Sequence, residues 1–220
     1  MDKDQVNQEP IFSDDDVVRS VCDGRIQNFE ILINRYKKKI INFIHKMIFD
    51  YDEAQSLTQD VFLKVFEGIK KYRTQDTFQA FVFTVAKNLT LNYIKRQRRF
   101  QWFSSHQGTP DNEERYFRTE GTQQEDMEKG QQEELLNKAL KSLKENQRIA
   151  LILKVYLDFS YKKIATITGW SEPKIETLIS RAKSDMRDYI RLAENAWGKT
   201  ELKNKLQEKE RLDVLEMRSI

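Results

Sequence analysis

The stretch Ser160-Tyr161-Lys162-Lys163-Ile164-Ala165-Thr166-Ile167-Thr168-Gly169-Trp170-Ser171-Glu172-Pro173-Lys174-Ile175 decides the fold. Ala165 is small enough to let a second helix approach. Gly169 follows four residues later, where the backbone can turn with positive φ. Ile164 and Ile175 are apolar and would pack the two helices together. Ser171 is a good N-cap, and Pro173 is tolerated in the first turn of the helix that follows. The pattern predicts a helix-turn-helix: a short helix from Tyr161 to Thr168, a turn through Ser171, and a longer helix from Glu172 to Leu192. The second helix of such a pair enters the DNA major groove by its N-terminal end. Ser171, Glu172, Lys174, Glu176 and Thr177 are therefore candidate base readers. Lys162, Lys163, Arg181, Lys183 and Arg187 are candidate phosphate contacts. Ten basic residues against six acidic ones between Lys144 and Leu192 suit that partner. A helical hairpin that never meets DNA would carry the same Ala-Gly-Ile spacing.

Upstream, Glu133–Leu143 and Glu145–Leu157 read as two more helices and complete a unit over 131–193. Ahead of them the composition changes. Asp111 to Glu134 holds nine acidic and three basic residues, with Gln, Thr, Gly and Asn and few apolar side chains. Such a segment cannot bury enough surface to fold alone. The expectation is a flexible acidic linker at 104–130, and a charged tail of helical composition at 194–220.

The other side of the linker reads as helices over 13–103, preceded by a disordered segment, 1–12. Asp14 to Val21 is a short helix with an acidic start. From Phe29 to Phe49, apolar residues recur at three- and four-residue steps, the mark of an amphipathic helix. Asp52 is expected to cap a third helix, with Gln55 at its third position as in a capping box. Asp76 or Thr77 is expected to cap a fourth, whose apolar face runs from Phe78 to Leu89 and which extends to Arg99. On the opposite face of that helix lie Asn88, Asn92, Lys95, Arg96 and Arg99. With Tyr72, Phe83, Tyr93 and Trp102 nearby, these groups suit unstacked bases and phosphates. A solvated face with a basic C-terminal end, which the helix dipole favours, accounts for them as well. On the third helix, Gln55, Gln59, Asp60 and Lys64 make a polar face open to a protein partner or simply to water.

Composition narrows the classes. The 220 residues include 7 glycines and 3 prolines, too few for a chain of many turns and short strands, so the fold class is all-α. No run approaches the roughly 18 apolar residues of a membrane span. The polar, acidic start is no signal peptide. One cysteine excludes an internal disulfide and a cysteine-based zinc site. There is no Gly-rich phosphate loop, nucleophile elbow or metal-spaced histidine cluster, so neither an enzyme nor a cofactor nor a metal is expected. Cys22 is expected to pack rather than to serve redox chemistry, and His45 to sit at the core edge. Asp14, Asp15 and Asp16 are expected to be helix-start charge. The net charge of +3 conceals basic helices behind an acidic linker.

Three further runs sharpen the picture: Asp52-Glu53-Ala54-Gln55-Ser56-Leu57-Thr58-Gln59-Asp60-Val61-Phe62-Leu63-Lys64-Val65-Phe66, then Tyr72-Arg73, then Thr77-Phe78-Gln79-Ala80-Phe81-Val82-Phe83-Thr84-Val85-Ala86-Lys87-Asn88. With Leu143-Lys144-Glu145-Asn146-Gln147-Arg148 and Ser160-Tyr161-Lys162-Lys163-Ile164-Ala165, the chain resembles RNA polymerase sigma factors of the extracytoplasmic-function group, domains two and four only. The resemblance covers about Asp14 to Leu192. It implies two small helical domains, the second a helix-turn-helix domain, in a cytoplasmic transcription initiation factor. It implies that Gln55, Gln59, Asp60 and Lys64 dock on a large subunit of core RNA polymerase. Tyr72, Arg73, Asn88, Asn92, Lys95, Arg96 and Arg99 would hold the melted minus-ten strand. The helix from Ser171 would read minus-35 duplex, and an anti-sigma factor or another regulatory partner would complete the partner set. A regulator acting without core polymerase, or a helical protein-binding adaptor, are the other readings of the same residues. Three departures stand out. Gln55-Ser56 replaces a usual acidic pair, and Phe81 a usual tryptophan. Glu176 and Leu178 stand where basic residues are common; a carboxylate accepts from cytosine but repels phosphate. Weaker duplex anchoring, offset by another contact such as the tail, is the corresponding expectation.

Overall fold

The computed structural model describes residues 12–72, 77–106 and 127–217, and every regular element among them is helical. Eight α-helices follow in order: α1 Asp14–Cys22, α2 Phe29–Ile48, α3 Tyr51–Gly68, α4 Phe78–His106, α5 Met127–Ser142, α6 Glu145–Leu151, α7 Tyr161–Thr168 and α8 Glu172–Met217. A π-turn over Ile152–Tyr156 extends α6. The segment 1–11 and most of the expected linker lie outside the described residues.

Local signals explain most of the boundaries. Ser13 caps α1 in a reciprocal capping box with Asp16. Asp50, not Asp52, caps α3: its carboxylate accepts from the Glu53 N–H at 2.9 Å. The helix therefore starts two residues earlier than expected. Thr77 takes the expected place before α4, its hydroxyl accepting from Ala80 N–H at 3.3 Å. α4 continues past Arg99 to His106 because no glycine or proline interrupts it there. α8 passes straight through the expected tail boundary, Gly198 included, and runs to Met217. Phe49 ends α2 in a left-handed conformation, φ 59°, at a position where no glycine announces the turn.

The first unit packs α1 to α4 around Leu32, Ile40, Phe43, Ile44, Val61, Val65, Phe78 and Val82. Gly68 lets α3 approach α4 closely, since a Cβ there would stand 3.2 Å from the Phe81 ring. The acidic start of α1 is tied down rather than idle. Asp14 pairs with Arg35 at 2.7 Å and accepts from the Tyr36 hydroxyl, while Asp15 accepts from Tyr72 at 3.0 Å. Burial and the Asp14 contact together hold the Tyr36 phenol above its ordinary pKa. Cys22, expected to pack, is exposed at the end of α1. It is the last residue of the helix, one turn beyond the buried Val18, at the edge of the apolar face.

The second unit packs α5 to α8 around Leu140, Ile149, Ile152, Leu153, Ile164, Ile167, Ile175 and Ala182. The two units share a seam. Phe83 of α4 meets Phe159 edge-on at 5.0 Å. Lys87 Nζ and Thr84 Oγ1 both donate to the Ile167 carbonyl, at 3.0 and 3.4 Å. Arg148 reaches from α6 to the Met47 carbonyl at 3.0 Å and lies over the Phe49 ring. Burial lowers the Arg148 guanidinium to about 10.

Candidate nucleic-acid interface

Asn88, Asn92, Lys95, Arg96 and Arg99 are all exposed along one side of α4. Their four- and three-residue steps bring them together because the helix turns about 100° per residue. The opposite side carries the buried Val82, Ala86 and Thr90. Arg96 lies over the rim of Tyr93, 5.8 Å from its ring centroid. Tyr93 itself is buried, and Phe83 is completely so, between Phe43 and Phe159. Neither can receive a base, contrary to expectation. At Phe83, a hydrophobic period read from α4 alone could not reveal that Phe159, just ahead of α7, packs against its ring. Tyr72 is half-buried against Phe78 and Phe81, with its hydroxyl on Asp15. It lies at the opposite end of the stripe from Arg99. Arg73 lies outside the described residues.

The helix-turn-helix forms as the spacing requires. Ser160 caps α7 by accepting from Lys163 N–H, and Gly169 takes φ 73° while its N–H bonds the Ala165 carbonyl at 2.8 Å. Ile164 and Ile175 are fully buried. Ser171, Glu172, Lys174, Glu176, Thr177, Arg181 and Lys183 are exposed on α8, and Lys162 is exposed on α7. Lys174 folds over the Trp170 ring at 5.3 Å, and the Thr177 hydroxyl is bonded to the Pro173 carbonyl. Leu178 is half-buried against the core, which accounts for an apolar residue there. The half-buried Lys163 donates its ammonium to Gln79 at 2.5 Å across the seam.

On α3, Gln55, Gln59, Asp60 and Lys64 are exposed, and Lys64 pairs with Glu67 at 2.8 Å. The hydrogen bond to Glu67 raises the lysine pKa. Leu63 stands among them and is 62% exposed. Expectation missed it: the α3 pattern marks buried apolar positions, and Leu63 is an apolar residue out of phase with them. Among the described residues no cluster of histidine, cysteine or acid could hold a metal ion, and no helix is long and apolar enough to cross a membrane.

Residues 32–100 match the model of sigma-70 region 2, and residues 133–186 match that of sigma-70 region 4. The chain is 26% identical to the RNA polymerase sigma factor YlaC of Bacillus subtilis over 166 residues, covering 73% of this chain and 90% of that one. It is 22% identical to the ECF RNA polymerase sigma-E factor of Haemophilus influenzae, covering 81% and 96%. Among solved structures, CnrH in complex with the cytosolic domain of CnrY superposes with a TM-score of 0.60 at 15% identity, over 80% of this chain and 96% of that one. The sigma factor RpoE of Bartonella quintana, in complex with the anti-sigma factor NepR, gives 0.58 at 21% identity, over 75% and 98%. These likenesses describe the same helical fold.

Proposed function

The chain belongs to the sigma-70 family, carrying region 2 and region 4 in that order, and from that membership we propose a division of labour along it. The protein is a transcription initiation factor that binds core RNA polymerase and directs it to promoter DNA. α3 docks on a large polymerase subunit through Gln55, Gln59, Asp60 and Lys64, with Leu63 as the apolar centre of the contact. The α4 stripe, with Tyr72 and Arg73, holds the melted minus-ten strand. α8 reads minus-35 duplex from Ser171 to Thr177, and Lys162, Arg181 and Lys183 hold phosphates. The work is done in the cytoplasm, and the chain catalyses no reaction of its own. A regulatory protein, an anti-sigma factor or another, belongs to the same proposal.

One observation carries this reading. Two cation-bearing helix faces, on α4 and α8, stay exposed in one chain while Phe83, Tyr93 and Phe159 are buried. One face suits an unpaired strand, because amides can meet base edges while arginines track phosphates. The other is the N-terminal end of a second helix-turn-helix helix, which suits duplex. Co-purification with core polymerase at low salt tests it. Retention of the intact chain, lost with Leu63→Asp, is expected. No association would leave only a regulator acting without polymerase, or an adaptor.

A further inference from the structure

The first turn of α1 carries three carboxylates, Asp14, Asp15 and Asp16, and each has a separate use. Asp16 closes the capping box with Ser13. The helix dipole favours acids there, but it does not require them to reach other elements. Asp14 and Asp15 do reach. Asp14 accepts from the Tyr36 hydroxyl of α2 and pairs with Arg35, whose other amino group donates to the Phe12 carbonyl at 2.6 Å. Asp15 accepts from the Tyr72 hydroxyl at 3.0 Å, across 57 residues of chain. The two tyrosine rings meet on one side chain. Phe78 lies 5.8 Å from Tyr36 and 5.6 Å from Tyr72, centroid to centroid. Phe78 opens α4, and Tyr72 directly precedes Arg73. Adjacent carboxylates of α1 therefore hold the hydroxyls of the two rings that pack on the first residue of the helix carrying the exposed stripe.

We propose that Asp15 is a positioning residue for promoter melting: through the Tyr72 hydroxyl it fixes, relative to α4, the point of the chain from which Arg73 departs. Packing on Phe78 and Phe81 leaves the Tyr72 ring free to slide and tilt, and a hydrogen bond at its far end removes that freedom. Both partners of the bond are half-buried. Asp15 touches no DNA in this role. A carboxylate close to a phosphate-binding face repels its ligand, so the use of this one lies inside the protein. The role deepens the melted-strand reading given above and rests on it. It gives a share in that reaction to α1, which lies ahead of the residues 32–100 matched to sigma-70 region 2.

The test uses the full chain assembled with core polymerase, on a promoter mapped by reconstituted transcription. Permanganate reactivity of unpaired thymines measures opening. Polymerase association, minus-35 duplex binding and thermal unfolding are followed alongside. Asp15→Leu and Tyr72→Phe should each reduce the opening equilibrium roughly three- to tenfold, the size of one hydrogen bond to a charged group discounted for exposure. The double variant should lose no more than either single one, because both remove the same bond. Asp15→Asn should open the promoter within about twofold of wild type, since the amide oxygen still accepts. Asn and Leu remove the same charge, so a purely electrostatic role would move both alike. Polymerase association and duplex binding stay unchanged throughout. Where Asp15→Leu lowers the unfolding temperature, Tyr72→Phe, which keeps the ring, decides. Undiminished opening in Asp15→Leu and Tyr72→Phe overturns the positioning role and leaves the initiation-factor reading standing. So do losses that multiply in the double variant, an Asp15→Asn protein as impaired as Asp15→Leu, or an equal loss in duplex binding. A wild-type chain that directs no transcription from genomic fragments overturns the initiation-factor reading and the positioning role with it.

Discussion

The Lys87 ammonium lies 3.0 Å from the carbonyl oxygen of Ile167, so a charge on α4 closes the C-terminal end of α7. Burial lowers the lysine pKa, yet the cation also meets the negative end of a helix dipole. Thr84 shares the same carbonyl. The contact joins the helix that carries the single-strand stripe to the first helix of the duplex-reading pair. Lys87→Met should lower stability by about 1 kcal/mol, a charged hydrogen bond discounted for half exposure. Urea unfolding measures it, and unaltered stability would show that the seam is held elsewhere.

Arg148 should matter more to the fold than any surface cation. Its guanidinium donates to the carbonyls of Met47, Lys141 and Leu143 and covers Phe49. Arg148→Met leaves those carbonyls without their donor, and about 2–4 kcal/mol should be lost in urea unfolding. Arg148→Lys should recover only part, because a point charge cannot span three carbonyls.

Phe83 separates packing from base capture. Phe83→Ala should cost about 3–5 kcal/mol, since the side chain is fully buried between Phe43 and Phe159. Phe83→Leu should keep single-strand affinity within about twofold of wild type, a change of less than ~0.5 kcal/mol. A large and selective loss of that affinity in a folded Phe83→Leu protein would restore the ring to the DNA.

The stripe makes an ionic prediction. Charge reversal at Arg96 or Arg99 should weaken DNA binding and flatten its dependence on salt, because each phosphate contact releases counterion. Asn88→Ala should impair promoter opening more than duplex binding. An unchanged salt slope, or equal losses from Asn88→Ala in both assays, would take these residues off the DNA.

His45 sets a pH dependence. Burial lowers its pKa, the Lys46 ammonium adds to this, and Asp50 and Glu133 oppose it. Its ring stands edge-on to Tyr51 at 5.8 Å. The folded protein therefore favours the neutral imidazole. Its contribution to stability is complete above the ordinary histidine pKa of ~6.5 and is lost as pH falls through that value toward the lowered one. Stability measured between about pH 7 and pH 5.5 should decline, and His45→Gln should flatten the decline. A slope identical in the variant would assign it to other groups.

Much of this architecture was legible in the order of residues. The helix-turn-helix followed from Ala165, Gly169 and the flanking isoleucines, because a positive φ and a close approach each demand particular side chains. The α4 stripe followed from helical spacing. What stayed hidden was tertiary. Asp50 and Asp52 are both acceptable caps, and Asp50 is the one whose carboxylate accepts from the Glu53 N–H. The left-handed turn at Phe49 carries no glycine to mark it, and its ring is covered by Arg148 from a distant helix. The same holds for Phe83, Tyr93 and Lys163, whose composition suits nucleic acid while packing commits them to the interior and the seam. Cys22 erred the other way: its neighbours are apolar, but it ends α1 at the edge of the apolar face. Leu63 is the reverse case at a surface, an apolar residue that no interior claims.

The central claim is that this chain confers promoter-specific initiation on core RNA polymerase. The most direct measurement is transcription reconstituted from core polymerase and the purified full chain on genomic fragments, with transcript starts mapped. The account predicts starts at defined positions that appear only with the protein and are sharply reduced by Asn88→Ala. Core polymerase giving the same transcripts with and without the protein would contradict it.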